Sequence, residues 1–357
     1  MRHPPRGAAP LSLSRRNFVI ASGAALAAAP VLAAGGAAAA PPPPAPPQAK
    51  LAEVVGSEHW TTKPAGADQV RLFLWRKRLR TPAAGDARRG TVLFVHGSSF
   101  SATPTFDLKV PGRPEASVMD WFARRGYDTW CVDCEGYGHS DKSRAVNADV
   151  ACGADDLAAA CAYIIKQTGD RPMLYGESSG GLRAALHAQR HPEQVSRLAL
   201  DAFVWTGAGS PTLAERRKRA AQFRASNRRP IDREFVRGVF TRDHPGTSDQ
   251  VIVEAFADAV LAVETSAPTG TYVDMTSNLP LVDPEKIAVP TLILRGQFDG
   301  IAAFDDLTQF FAKLPNPDKQ LVVMPGIAHS STRSKNWAIP YHLLDGWFSQ
   351  PAAVYVG

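Results

Sequence analysis

Tyr175-Gly176-Glu177-Ser178-Ser179-Gly180-Gly181 is the stretch on which the reading of this chain turns. An apolar run over 172–175 leads into it and a helical pattern over 181–190 leads out. A serine is therefore placed on a sharp strand-to-helix turn, the context of a G-x-S-x-G nucleophile elbow. Such a turn strains the serine backbone, and Gly176 and Gly180 have no Cβ to obstruct it. The Ser178 hydroxyl is then expected above the sheet, at a helix N-terminus whose partial positive charge favours developing negative charge.

Working outward, short apolar runs alternate with helical ones. Strands are expected at 70–75, 91–95, 129–133, 172–175, 197–201, 291–294 and 320–324. The middle ones are almost wholly apolar, as parallel strands covered on both faces should be. Helical segments are expected at 117–125, 153–167, 181–190 and 335–348, so the fold class is α/β with a mostly parallel sheet and helices on both faces. The alternation breaks between 201 and 291, where only helical signals appear, at 213–226, 232–240 and 249–264. A plain crossover needs far less chain, so this stretch reads as an inserted helical cap. The expected division is a core over 51–204, a cap over 205–288 and the rest of the core over 289–357.

A serine hydroxyl is a poor nucleophile without a base and an acid to orient that base. Parallel strands bring their C-terminal ends to one rim, where open α/β sheets hold their ligands. The strand at 291–294 runs into Arg295-Gly296-Gln297-Phe298-Asp299-Gly300, and that at 320–324 into Pro325-Gly326-Ile327-Ala328-His329-Ser330. Ser178, Asp299 and His329 are thus expected to converge, in the chain order Ser…Asp/Glu…His that accompanies this elbow. Asp201 also ends a strand and is the alternative acid. An oxyanion needs preorganised N–H donors. Those of Ser179 and of Ser98 are expected, with Ser99 as the alternative in the loop His96-Gly97-Ser98-Ser99-Phe100. His96 reads as a buried residue that shapes this loop rather than as a base.

Composition excludes several classes. With 45% hydrophobic and 21% charged residues the chain is not disordered, and four Cys are too few for a disulfide framework. The formal charge of +6 includes four Arg within residues 1–40 that no acid offsets, so 6 − 4 = +2 remains and no nucleic-acid partner is expected. Ser14-Arg15-Arg16-Asn17-Phe18 precedes a weakly apolar, Ala-rich run and a proline tract at 41–47, a pattern resembling a twin-arginine export signal. A signal over 1–40 and a linker over 41–50 are therefore expected, with periplasmic or secreted localisation and no stable membrane anchor after cleavage. Cys131 and Cys134 form a C-x-x-C, but no second Cys/His pair stands at metal spacing. Buried thiols, or one bridge of the Cys134–Cys152 type, are the reading for Cys131, Cys134, Cys152 and Cys161. Residues 215–237 carry nine Arg or Lys against three acids, read as a solvated helix face, with attraction of an anionic substrate or membrane surface as the alternative.

Taken together, His96-Gly97-Ser98-Ser99, Asp133-Cys134-Glu135-Gly136-Tyr137-Gly138-His139-Ser140, Gly176-Glu177-Ser178-Ser179-Gly180, Arg295-Gly296-Gln297-Phe298-Asp299 and Gly326-Ile327-Ala328-His329 resemble the ordered signature of the α/β-hydrolase superfamily. The resemblance spans roughly 88–348, with the insert where that superfamily carries its lid. Glu135 departs from it, standing where many relatives have Arg or Pro, and reads as a loop salt bridge rather than a substrate contact. The resemblance implies a serine hydrolase acting on a small or medium ester without metal or cofactor. Amidase, lactonase, carbon–carbon hydrolase and perhydrolase chemistry share the same residues. A noncatalytic binding protein would normally show a damaged elbow or triad, and none of these positions is damaged.

Overall fold

The computed structural model describes residues 52–81 and 88–355, so the expected export signal and linker lie outside the described residues. Ten strands are present among the described residues: β1 (Val54–Ala65), β2 (Asp68–Leu79), β3 (Thr91–Val95), β4 (Asp128–Val132), β5 (Met173–Glu177), β6 (Arg197–Asp201), β7 (Arg228–Pro230), β8 (Ser266–Pro268), β9 (Thr291–Gly296) and β10 (Lys319–Met324). Eight form one sheet in the order β1-β2-β4-β3-β5-β6-β9-β10, and β7 and β8 form a separate antiparallel ribbon. The six strands from β4 to β10 in the sheet are mutually parallel. β1 and β2 join antiparallel at one edge.

The period-2 geometry of a strand explains the two cores. Leu93, Val95, Leu174, Leu198 and Ile293 pack on one face against the helices Val150–Thr168 and Ser179–Arg190. Their neighbours Val92, Phe94, Tyr175, Ala199 and Leu292 pack on the other, under Val118–Ala123 and Ala338–Phe348. Register fixes what matters for the site. Val95 lies beside Gly176, Glu177 beside Asp201, and Gly296 beside Met324, so the C-terminal ends share one edge.

The stretch between β6 and β9 is not purely helical. It carries the helices Pro211–Arg217, Ala220–Arg224, Arg233–Thr241, Gln250–Leu261 and Gly270–Ser277, and also the β7/β8 ribbon. Arg228-Arg229-Pro230 and Ser266-Ala267-Pro268 have no strand propensity of their own, and only their mutual pairing makes them strands. A third cluster, with Val236, Phe240, Phe256 and Val260 from this insert and Phe100 and Tyr137 from core loops, seats it on the sheet edge. Among the described residues no helix is long and apolar enough to cross a membrane.

Glu135 is buried and paired with Lys63 at 3.0 Å and Arg144 at 2.8 Å, so it serves a loop ion pair as expected. Lys63 also meets the buried Asp156 at 2.6 Å. All four cysteines are free thiols, so the bridge alternative is not formed.

Candidate active site

The elbow is built as the glycines require. Ser178 has φ 58° and ψ −124°, a conformation that L-residues rarely adopt, and the helix Ser179–Arg190 starts directly after it. A Cβ on Gly180 would lie 2.2 Å from the Val95 carbonyl oxygen and 2.6 Å from that of His96. These are backbone atoms of the central sheet and cannot give way cheaply. Gly180→Ala is therefore expected to destabilise the protein by about 3 kcal/mol or more. Urea unfolding midpoints check it, and a change within the ordinary surface range would contradict the packing described.

Ser178 Oγ lies 3.0 Å from His329 Nε2, and His329 Nδ1 lies 3.0 and 3.1 Å from the two oxygens of Asp299. With the proton on Nδ1 directed at the carboxylate, Nε2 is left free to accept from the serine hydroxyl. Asp299 and His329 are both buried, and the Asp299 carboxylate also accepts from the backbone N–H groups of Ile301 (2.8 Å) and Ala302 (3.1 Å). Burial alone would raise this carboxyl. The adjacent imidazole and the two N–H donors outweigh it and bring the pKa down to about 2. The geometry matches what abstraction of a serine proton by an oriented imidazole demands.

The loop after β3 sits against the elbow. Ser98 Oγ donates to Ser179 Oγ at 2.7 Å, tying this loop to the residue directly after Ser178. The Ser98 carbonyl accepts from Tyr137 Oη at 2.8 Å and from Arg229 at 3.3 Å. His96 is fully buried beside Tyr137, with Nδ1 2.8 Å from the Gly97 carbonyl and Nε2 accepting from the Cys134 N–H at 3.1 Å. Burial, with the nearby Arg183 charge, drives its pKa down to about 3, so it stays neutral and shapes the loop, as its sequence position suggested. Arg183 is itself buried and donates to the His96 carbonyl at 3.0 Å, a support that sequence reading did not find.

Asp201 is not brought to the imidazole. Its Oδ2 accepts from Tyr175 Oη at 2.6 Å and from Ser331 Oγ, while both partners of His329 Nδ1 belong to Asp299. Burial pushes the Asp201 carboxyl up to about 7. A raised carboxyl binds its proton more tightly in the folded than in the unfolded state, so stability falls as pH rises from the unfolded value near 4 toward 7. Asp201→Asn is expected to remove that decline and to raise the melting temperature relative to the parent at pH 8 but not at pH 4. Melting curves at the two pH values check this, and equal shifts at both would refute it.

A cavity of about 40 Å³ opens over Ser178 and His329, walled by Gly97, Ser98, Phe100 and, from the insert, Arg216, Arg242 and Tyr272. The last three also wall a cleft of about 330 Å³ within the insert. Of the aromatic residues around the insert, Tyr272 faces this space, whereas Phe203, Phe240 and Phe256 are packed into the hydrophobic clusters. Trp205 packs on Phe310 and donates to the Val282 carbonyl.

Among the described residues two groups of His, Cys, Asp or Glu approach metal-ligand spacing. One is Glu135, Cys152 and Asp156, where Lys63 already sits, and the other is Asp243 with Asp299 and His329.

Residues 86–336 match the family model described as serine aminopeptidase, S33. No curated protein sequence matches significantly. Among solved structures, a monoacylglycerol lipase from Paleococcus ferrophilus is similar at 19% identity and TM-score 0.57, covering 78% of this chain and 98% of its own. A thermophilic esterase from Thermogutta terrifontis is similar at 21% and 0.57, covering 82% and 97%. A bromoperoxidase from Bacillus anthracis is similar at 17% and 0.57, covering 83% and 100%. At these identities the likeness is one of fold.

Proposed function

The chain belongs to the serine aminopeptidase S33 family of α/β-hydrolases, and from that premise we propose that it is a serine hydrolase cleaving a carboxylic ester of a small or medium-sized substrate. The observation that carries this reading is the unbroken relay from Ser178 Oγ through His329 to Asp299, with 3.0 Å at each joint.

Ser178 Oγ attacks the ester carbonyl carbon while His329 Nε2 takes its proton. Asp299 holds the ring and stabilises the imidazolium. The Ser98 and Ser179 N–H groups receive the charge on the carbonyl oxygen. Collapse expels the alcohol, which takes the proton from His329 and leaves Ser178 acylated. Water then attacks the acyl carbon, again losing its proton to His329; collapse breaks the bond to Ser178 Oγ, which takes that proton back from His329, and the freed acid departs. Nothing in these steps requires a metal or cofactor. The sequence pattern over 1–40 supports export by a twin-arginine route, with action in the periplasm or outside the cell.

Turnover of p-nitrophenyl esters from acetate to palmitate tests the proposal. A cleft of about 330 Å³ behind a narrow site favours acetate to octanoate over palmitate. If the folded protein hydrolysed none of them, ester cleavage would be ruled out and the amide, lactone, carbon–carbon and perhydrolysis substrates would be next.

A further inference from the structure

The insert brings to the active-site cavity positive charge that ion pairs among the described residues offset only in part. Five arginines stand at the cavity and the adjoining cleft: Arg216, Arg229, Arg242, Arg333 and the exposed Arg219. Arg333 is paired with the buried Glu177, and Arg242 with Asp243 at 2.7 Å. Arg216 and Arg229 have no carboxylate partner among the described residues. Arg216 is 8% exposed, and its guanidinium makes no hydrogen bond to any described group. Arg229 donates to Ser99 Oγ at 2.7 Å, while its Nε is buried without a partner.

Both guanidinium groups lie over the ring of Tyr272, at 4.5 and 4.1 Å from its centroid. Stacking of this kind satisfies the face of a guanidinium and leaves the in-plane N–H donors to other partners, and in Arg229 one nitrogen already donates to Ser99 Oγ and the Ser98 carbonyl. Burying two cations side by side without a counter-ion is costly. The strain is visible in the neighbours. Burial and the charges of Arg242 and Arg229 hold Arg216 below the usual guanidinium range. The three arginines overcome burial to bring the Tyr272 phenol down to about 7.

We propose that Arg216 and Arg229 form a subsite for an oxyanion, carboxylate or phosphate, carried by the substrate and reaching from the reacting carbonyl into the cleft. This rests on the serine-hydrolase reading for its placement, since Arg216 and Ser178 wall the same cavity and Arg229 bonds to the loop that bears Ser98 and Ser99. Two planar forks suit an oxyanion through paired N–H bonds. The same charge repels a free α-ammonium, so the subsite also argues against a peptide N-terminus as the natural ligand. The basic run in the insert is therefore not only a solvated face, because Arg216 walls the cavity over Ser178 and both Arg216 and Arg229 wall the adjoining cleft.

The test has two arms. In the first, wild-type hydrolysis of p-nitrophenyl pentanoate is inhibited by glutarate, inorganic phosphate or the neutral glutaramide. An oxyanion subsite gives competitive inhibition by at least one of the anions, about 10- to 100-fold stronger than by glutaramide. Arg216→Gln and Arg229→Gln, checked for folding by circular dichroism, remove that advantage, and Arg216→Lys restores part of it. The stronger of glutarate and phosphate identifies the group. The second arm measures glutarate and phosphate binding to the Ser178→Ala protein by calorimetry, which needs no turnover. Anion binding there without esterase activity in the wild type would overturn the ester reading and keep the subsite. Ester turnover with equal inhibition by anions and glutaramide, and no calorimetric binding, would overturn the subsite and keep the ester reading.

Discussion

Ser178→Ala is expected to lower kcat on a p-nitrophenyl ester by about 10⁴-fold or more while leaving the fold intact. The hydroxyl is the group aimed at His329 Nε2, and its removal leaves only the N–H donors and substrate positioning to act on bound ester. Loss of one oxygen from a half-buried side chain leaves no large cavity, so the melting temperature should hold or rise. A variant retaining a tenth or more of the parent rate would place the nucleophile elsewhere.

The second large effect is expected at Asp299. Asn is nearly isosteric, yet it cannot supply a negative charge to the imidazolium and offers an N–H where His329 Nδ1–H needs an acceptor. A drop in kcat of about 10⁴-fold is expected for Asp299→Asn, with KM little changed. Asp201→Asn should keep kcat within a few-fold, because its hydrogen bonds go to Tyr175 and Ser331. Kinetics of the two variants side by side decide between the two acids that sequence offered. Equal losses would mean the imidazole is supported through both. The depressed Asp299 carboxyl also stabilises the fold, fully above the unfolded value near 4 and progressively less as pH falls toward its own value of about 2. That acid-side contribution is absent in Asp299→Asn.

The parts of this molecule legible in the sequence are those whose cause is local. β3 and β6 are apolar, short and bounded by turn residues, and both lie at the residues expected, 91–95 and 197–201. Ser178, His329 and Asp299 could be placed because a parallel sheet sends the loop after each strand to one edge, so three separate loop motifs imply one site. β1 escaped because its sequence, VVGSEHWTTKPA, is half exposed at the sheet edge and offers too few apolar positions to register as a strand. The β7/β8 ribbon escaped because pairing, not propensity, creates it. The contribution of Arg216 and Arg229 was legible only as a basic run. Which of nine cations turn inward is set by how the insert's helices pack on Tyr272 and Phe223, contacts far apart in the chain.

The central claim is that Ser178 is a nucleophile activated by His329. Labelling the folded protein with a fluorophosphonate and locating the adduct by peptide mass spectrometry tests it without assuming any substrate. One adduct is expected, on the peptide containing Ser178, formed rapidly in the wild type and lost in His329→Ala. A folded wild-type protein that takes no label, or takes it on another residue, would contradict the account.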